Sequence, residues 1–171
     1  MRVRADRTRE NGGRADRVRV QDLLDLAEGH APVALLDDAG IAAVLGAAKR
    51  IAVIGASSNP VRPSYGVFGY LLDAGYDCLP VNPNETSVQG RRAYASLAEA
   101  VAASGPVDIV DVFRRSELCD AHARDAVAVG ARCLWLQLGV VSWEAARIAT
   151  EAGLSVVMDR CTAVEHRRLV R

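Results

Sequence analysis

The chain has 171 residues, half of them apolar, and its 21 basic and 21 acidic side chains balance to a formal net charge of zero. That length suits one domain with a sizeable core. A zero net charge provides no overall field to attract nucleic acid or an anionic membrane. No apolar run approaches the roughly 20 residues of a membrane span, and the arginine-rich start lacks a signal peptide's apolar segment. We therefore expect a cytoplasmic protein that binds neither nucleic acid nor a membrane.

Residues 1–19 differ in composition from the rest of the chain, with seven arginines, three acids and two adjacent glycines. Such a segment cannot bury enough apolar surface to offset its ordering entropy. The composition predicts a disordered basic N-terminal arm over 1–19 and a single domain over 20–171.

Two short helices are predicted ahead of the first strand. The first carries apolar residues at helical spacing from Val20 to Ala27 and ends at Gly29. The second follows Asp38, which is expected to be its cap, and its apolar positions are Ile41, Val44, Leu45 and Ala48. Both helices are expected to pack onto a sheet.

The first strand, residues 51–54, is continuously apolar and is typical of a buried parallel strand. An abrupt loop follows it, with the sequence Gly55-Ala56-Ser57-Ser58-Asn59-Pro60. A glycine lets the backbone approach a ligand, while hydroxyl, amide and backbone N–H groups at a helix start favour phosphate. Arg62 adds a positive charge. The same glycine and serine residues also occur in such turns for purely conformational reasons.

Four further strands alternate with helices along the chain. They are predicted at residues 78–81, 107–113, 133–138 and 155–158, and Pro80 suggests incomplete pairing in the first of these. The intervening helices end at Gly75, Gly105, Gly130 and Gly153, and a short basic helix follows the last strand. This alternation predicts an α/β protein with a Rossmann-like, doubly wound parallel sheet of about five strands and helices on both faces.

Polar residues cluster where the predicted strands end, which is where such sheets bind ligands. They are Ser57, Ser58, Asn82, Arg114, Gln137, Asp159 and Arg160. A dinucleotide site would need the pattern Gly-x-Gly-x-x-Gly and an acidic residue at the end of the second strand. Here Ser57 replaces the second glycine, and the second strand ends in Val81-Asn82-Pro83. A neutral, amide-rich pocket flanked by arginines fits a nucleotide with an extra ribose phosphate, which both NADP and coenzyme A carry.

A series of motifs lies in order along the predicted strands and loops. They are the residues from Ile51 to Asn59, Arg62-Pro63-Ser64-Tyr65, Gly75-Tyr76, Pro80-Val81-Asn82-Pro83, Val107-Asp108-Ile109-Val110, Val112-Phe113-Arg114, Trp135-Leu136-Gln137-Leu138-Gly139 and Val156-Val157-Met158-Asp159-Arg160-Cys161. With these motifs the chain resembles, from about residue 39 to 171, the small bacterial and archaeal CoA-binding domain proteins, which are similar in fold to the CoA-binding domain of the succinyl-CoA synthetase α subunit.

The resemblance implies a CoA or acyl-CoA binding protein whose ligand follows the ends of the strands. Gly55, Ala56, Ser57, Ser58, Asn59 and Pro60 would surround the diphosphate. Val81, Asn82 and Pro83 would border the adenosine, and Phe113, Arg114 and Gln137 would line the pantetheine arm, with Arg160 at the same rim. The synthetase has a lysine where this chain has Asn84-Glu85, so the cation for the 3′-phosphate is open among Arg62, Arg91 and Arg92.

Two other functions remain alternatives at this point. One is an NADP-dependent oxidoreductase. The other is a serine hydrolase that would use Ser57, Asp159 and His166, although Asn59 stands where the final glycine of that motif belongs. No ligase activity is expected, because the resemblance includes no counterpart of the synthetase's phosphorylated-histidine domain. The sequence leaves open a homo-oligomer or a protein partner.

The four cysteines are far apart and show no metal-ligand spacing, which predicts free thiols. Cys161 follows the last strand, so it is expected either to face the ligand crevice, where CoA could form a mixed disulfide with it, or to lie beneath the last helix. Trp135 is expected in the core and His122 in solvent.

Overall fold

A computed structural model of the protein describes residues 20–170, so the predicted arm over 1–19 lies outside the described residues. Residues 20–27 form helix α1. Helix α2 is Asp38–Ala47, and its N-cap is Asp37, whose carboxylate accepts a hydrogen bond from the Gly40 N–H at 2.8 Å. The cap is therefore the residue before Asp38, since Asp38 already lies in the first turn.

Five parallel strands form the central sheet and confirm the predicted α/β, doubly wound fold. They are β1 (Arg50–Ile54), β2 (Asp77–Val81), β5 (Ile109–Val112), β6 (Cys133–Leu136) and β7 (Ser155–Val157). Their spatial order is β2-β1-β5-β6-β7. The chain moves outward from β1 to β2 and later returns to the other side of β1 as β5. The direction of winding thus reverses between β1 and β5, and that is where sheets of this kind open a crevice.

Helices cover both faces of the sheet. The later helices are α3 (Pro63–Asp73), α4 (Leu97–Ser104), α5 (Cys119–Ala128, after a 3₁₀ turn at Ser116–Leu118), α6 (Trp143–Glu151) and α7 (Thr162–Leu169). One core layer joins the sheet to α2, α3 and α7, and the other joins it to α4, α5 and α6. Trp135 lies in the first layer with no exposed surface, which confirms it as a core residue, and its indole N–H donates to the Arg160 carbonyl at 2.7 Å.

The stretch between β2 and α4 contains a feature that the sequence did not predict. Strands β3 (Ser87–Val88) and β4 (Arg91–Arg92) form a short antiparallel hairpin there. Its turn uses Gln89 and Gly90, both with positive φ. Two residues per strand are too few to produce a hydrophobic alternation that sequence analysis can detect.

The two outer strands of the main sheet receive backbone hydrogen bonds from residues outside it. Next to β2, the Tyr94 N–H donates to the Pro80 carbonyl at 2.9 Å, and the Asn82 N–H donates to the Tyr94 carbonyl at 2.8 Å. Pro80 thus lies on an edge strand with its backbone directed away from β1, where its missing N–H breaks no bond of the main ladder. At the other edge, the Leu36 N–H donates to the Val156 carbonyl of β7 at 3.0 Å.

Candidate ligand-binding site

A cleft of about 710 Å³ opens at the carboxyl ends of β1, β5 and β6. It therefore lies at the winding reversal, where the fold predicts a ligand. Its walls are formed by Gly55, Ser57, Arg62, Pro63, Ser64, Val67, Asn82, Asn84, Glu85, Phe113, Arg114, Arg115, Ser116, Gln137, Leu138, Gly139, Val140 and Cys161.

Gly55 stands where three strands converge. Its N–H donates to the Val81 carbonyl of β2 at 2.8 Å. On the other side of β1, the N–H of Phe113, the residue after β5, donates to the Ile54 carbonyl at 2.9 Å. The φ of Gly55 is +82°, and a Cβ at this position would lie 2.9 Å from the Phe113 carbonyl oxygen. Both the backbone conformation and the close approach of the neighbouring strand require glycine here.

The loop after Gly55 presents hydrogen-bond donors, and the carboxylate of Glu85 accepts from them. The Ser58 N–H donates to this carboxylate at 2.9 Å, the Ser58 hydroxyl at 2.8 Å and the Ser57 hydroxyl at 3.3 Å. The backbone hydrogen bond from Ser58, followed by the two hydroxyls, lowers the pKa of Glu85 below its ordinary value. An anion of the protein itself thus lies where backbone and hydroxyl donors converge, which is the arrangement expected of a phosphate site.

Asn82 holds the end of β2 against this loop. Its Nδ2 donates to the Ala56 carbonyl at 2.8 Å, and its Oδ1 accepts from the Asn84 N–H at 3.0 Å. The Asn82 amide therefore holds the loop after β1 next to the turn that carries Glu85. The family resemblance predicts that Asn82 borders the adenosine, and the structure shows this additional positioning contact.

Three arginines line the cleft, namely Arg62, Arg114 and Arg115. Of the three sequence candidates for a 3′-phosphate cation, only Arg62 is among these lining residues. Arg91 pairs with Asp77 at 3.3 Å, and Asp77 begins β2 at the opposite end of that strand. Arg92 lies over the Tyr94 ring at 5.5 Å from its centroid. The geometry therefore favours Arg62 as the cation for a ligand phosphate.

A buried polar group lies behind the cleft. Asp111 of β5 has no exposed surface, and its carboxylate accepts from the Gln137 Nε2 at 2.8 and 2.9 Å and from the Thr162 hydroxyl at 2.8 Å. Burial raises the pKa of Asp111 to about 7, against the lowering effect of these two donors. Because Nε2 is directed at Asp111, the amide of Gln137 is held in one orientation. This role was not predicted from the sequence, because Asp111 is a polar position within a mostly apolar strand and no motif marks it.

The other residues predicted from the sequence fall into three groups. Ser58, Asn59, Pro60 and Pro83 are exposed in the loops beside the cleft, and Ala56 and Val81 are buried in the core. Arg160 contacts Asp38 and Glu165 at 3.3 Å each, so its guanidinium lies with α2 and α7 and does not line the cleft. Ser64 and Val67 also line the cleft but are not among the predicted site residues, although both lie in the first two turns of the helix after the phosphate loop.

The three residues of the serine hydrolase alternative each bond to a different partner. Ser57 bonds to Glu85, the Asp159 carboxylate accepts from the Gly139 N–H at 2.6 Å, and His166 Nδ1 lies 2.8 Å from the Tyr70 hydroxyl. The structure therefore does not bring them together as a nucleophile, base and orienting acid.

All four cysteines are free thiols, as predicted. Cys78, Cys119 and Cys133 are buried, and burial raises the pKa of each to about 12. Cys161 is half-buried and lines the cleft.

Within residues 20–170, no cluster of His, Cys, Asp and Glu could hold a metal ion, and no helix there is long and apolar enough to cross a bilayer.

The fold and the cleft define a doubly wound α/β protein with an arginine-flanked cleft at its topological switch point. Comparison with known proteins gives the particular family. The CoA binding domain family matches residues 49–167, which is most of the chain, and the chain belongs to that family.

Several relatives have similar sequences or structures. The chain is 42% identical to the uncharacterized protein YneT of Bacillus subtilis over 128 residues, which are 75% of this chain and 93% of YneT. A hypothetical protein from Pyrococcus horikoshii superposes with a TM-score of 0.75 at 38% identity, over 80% of this chain and 94% of its own. A Thermus thermophilus protein, cell-free ID.343, superposes with a TM-score of 0.73 at 41% identity, over 78% and 99% of the two chains.

Proposed function

We propose that this protein binds coenzyme A or an acyl-CoA in the cleft and has no ligase activity of its own. The proposed location of the ligand rests on the contact between Glu85 and the Ser57–Ser58 loop, because a diphosphate could use the same hydrogen-bond donors. Membership of the CoA-binding family supports the choice of ligand.

The cleft's chemistry suits the three parts of CoA. The Ser57–Ser58 loop and the start of α3 receive the diphosphate, and Arg62 receives the 3′-phosphate. The wall formed by Phe113, Gln137 and Leu138 receives the pantetheine arm, which needs apolar surface and a few hydrogen-bond partners. Leu138 is 69% exposed, so an apolar side chain is available at the mouth of this wall.

Thermal unfolding with added ligand tests the proposal. A ligand that binds only the folded state stabilises it by about 2.7 kcal/mol at a hundredfold excess over its dissociation constant. We expect CoA to raise the melting temperature and NAD to leave it unchanged. A shift with NADP and none with CoA would favour the NADP-dependent oxidoreductase instead.

A double substitution tests the location of the site. Ser57→Ala with Arg62→Ala should weaken CoA binding in calorimetry, since hydrogen bonds to charged groups contribute roughly 1.5 to 3 kcal/mol each. The matched control is Arg91→Ala with Arg92→Ala, which removes two arginines that do not line the cleft. If both double variants bind CoA equally well while folded, the ligand lies elsewhere.

A further inference from the structure

Cys161 is the one cysteine of residues 20–170 that lines the cleft. It lies between β7 and α7 and is the N-cap residue of α7. The three other thiols are buried in the two core layers. A reagent that enters the cleft therefore meets a single sulfur.

The amide of Gln137 presents a hydrogen-bond acceptor to this part of the cleft. The residue is only 4% exposed, and its Nε2 is occupied by Asp111 and Thr162. Among residues 20–170, no donor bonds to its Oε1, and Gln137 lines the cleft. No buried side-chain polar atom of residues 20–170 lacks a hydrogen-bond partner, so this unbonded oxygen is accessible to solvent. It can therefore accept from an amide N–H of a ligand that enters the cleft.

The backbone places this acceptor and the thiol close together. Thr162, whose hydroxyl accepts from Gln137 and donates to Asp111, directly follows Cys161. A pantetheine arm carries two amide groups and ends in a thiol. An arm that bonds Gln137 through an amide therefore brings its own sulfur to the region of Cys161.

We propose that Cys161 is a site of reversible thiolation at which the sulfur of CoA forms a mixed disulfide with the protein. This inference rests on the proposed function. The Cys161 thiol loses its proton, and the thiolate attacks one sulfur of CoA disulfide, which is the oxidant. The CoA disulfide bond breaks as the Cys161–CoA bond forms, and the second CoA leaves as a thiolate that takes up a proton. A reducing thiol reverses the step by the same exchange.

The test compares CoA disulfide with a disulfide that lacks both the nucleotide and the amide-bearing arm. The protein is incubated with CoA disulfide or with cystamine, which has neither of these parts, and is then digested without reductant for peptide mass mapping. We expect the CoA mass on the Cys161 peptide, formation at least ten times faster than with cystamine, and loss of the adduct on adding dithiothreitol. Desulfo-CoA, which occupies the cleft without a thiol, should slow the reaction with CoA disulfide.

Two variants complete the test. Cys161→Ser should abolish the adduct, and Cys119→Ala, which removes a buried thiol, should retain it. Equal rates with both disulfides, or an adduct mainly on another cysteine, would overturn the proposal because exposure alone would then explain the chemistry. No adduct in a protein whose melting temperature rises with CoA would also overturn it while leaving CoA binding in place. Failure of CoA to shift the melt would contradict the proposed function itself.

Discussion

At the scale of single residues, Gly55 is constrained both by its backbone conformation and by its surroundings. Its φ of +82° strains any L side chain by roughly 1–2 kcal/mol, and a Cβ would also press on the Phe113 carbonyl at 2.9 Å. Gly139, on the same cleft, has a φ of +81°, but a Cβ there would have no neighbouring atom within 4 Å. We predict that Gly55→Ala lowers the free energy of unfolding more than Gly139→Ala in urea titrations. Equal losses of stability would mean that the Phe113 backbone moves aside and that its close approach to Gly55 is unimportant.

Glu85 leads to a prediction in which a substitution strengthens ligand binding. If the diphosphate uses the Ser57–Ser58 donors, it must displace the carboxylate that now accepts from them. Glu85→Gln removes the competing charge, so we expect CoA to bind several-fold more tightly in calorimetry. Glu151→Gln, at the end of α6, makes the same change in net charge away from the cleft and should leave affinity unchanged. Weaker binding in the Glu85 variant would show that this carboxylate contacts the ligand.

At the scale of secondary structure elements, Asp111 joins β5 to the residue after β6 and to the first residue of α7. The unfolded chain releases the Asp111 proton near its ordinary pKa of 3.8, whereas the folded protein retains it up to about 7. The folded state therefore binds more protons between these values, and the contribution of Asp111 to stability is lost as the pH rises from about 4 to 7. The slope is at most about 1.4 kcal/mol per pH unit.

Asp111→Asn removes this titration. We predict that the difference in unfolding free energy between wild type and variant changes across that pH range, to the relative disadvantage of the wild type at the higher pH. Chemical denaturation at several pH values measures it. The pKa values of Glu85 and Asp108 are lowered, so these two groups change the stability with pH in the opposite direction. Their contributions are the same in both proteins and cancel in the difference between wild type and variant. Parallel stability curves would show that Asp111 is ionised in the folded protein throughout.

The order of elements could be predicted from the sequence because each strand is a short apolar run and most helices end at a glycine. The rim of polar residues followed from the same pattern, since parallel strands end at one edge of the sheet. Glu85 could not be predicted as part of the phosphate loop. It lies four residues after β2, and only the turn held by Asn82 brings it back to Ser58.

Arg160 shows why position along the chain does not settle where a side chain points. It follows β7 closely, which suggested a place at the rim. Asp159 before it has a φ of +56°, and this left-handed residue turns the chain. The Arg160 guanidinium then pairs with Asp38 and Glu165, and its carbonyl accepts from Trp135.

For the whole molecule, the predicted boundary at residue 20 can be tested by truncation. The Trp143 indole N–H donates to the Asp22 carbonyl at 3.3 Å, and Leu26 packs against the core, so α1 contacts the remainder of the chain. We predict that removing residues 1–19 changes neither the melting temperature nor CoA binding. Removing residues 1–28 should lower the melting temperature, by about 2–4 °C for each kcal/mol lost. A lower melting temperature after the shorter truncation would show that the arm is packed.

The bonds from Tyr94 to β2 and from Leu36 to β7 have a consequence for assembly. Exposed sheet edges are templates on which other chains add strands and from which fibrils grow. Here each outer strand already has a backbone neighbour from its own chain, and β7 is only three residues long. Copies of this protein that associate should therefore meet through helices, and concentrated solutions should resist conversion into fibrils that extend the sheet.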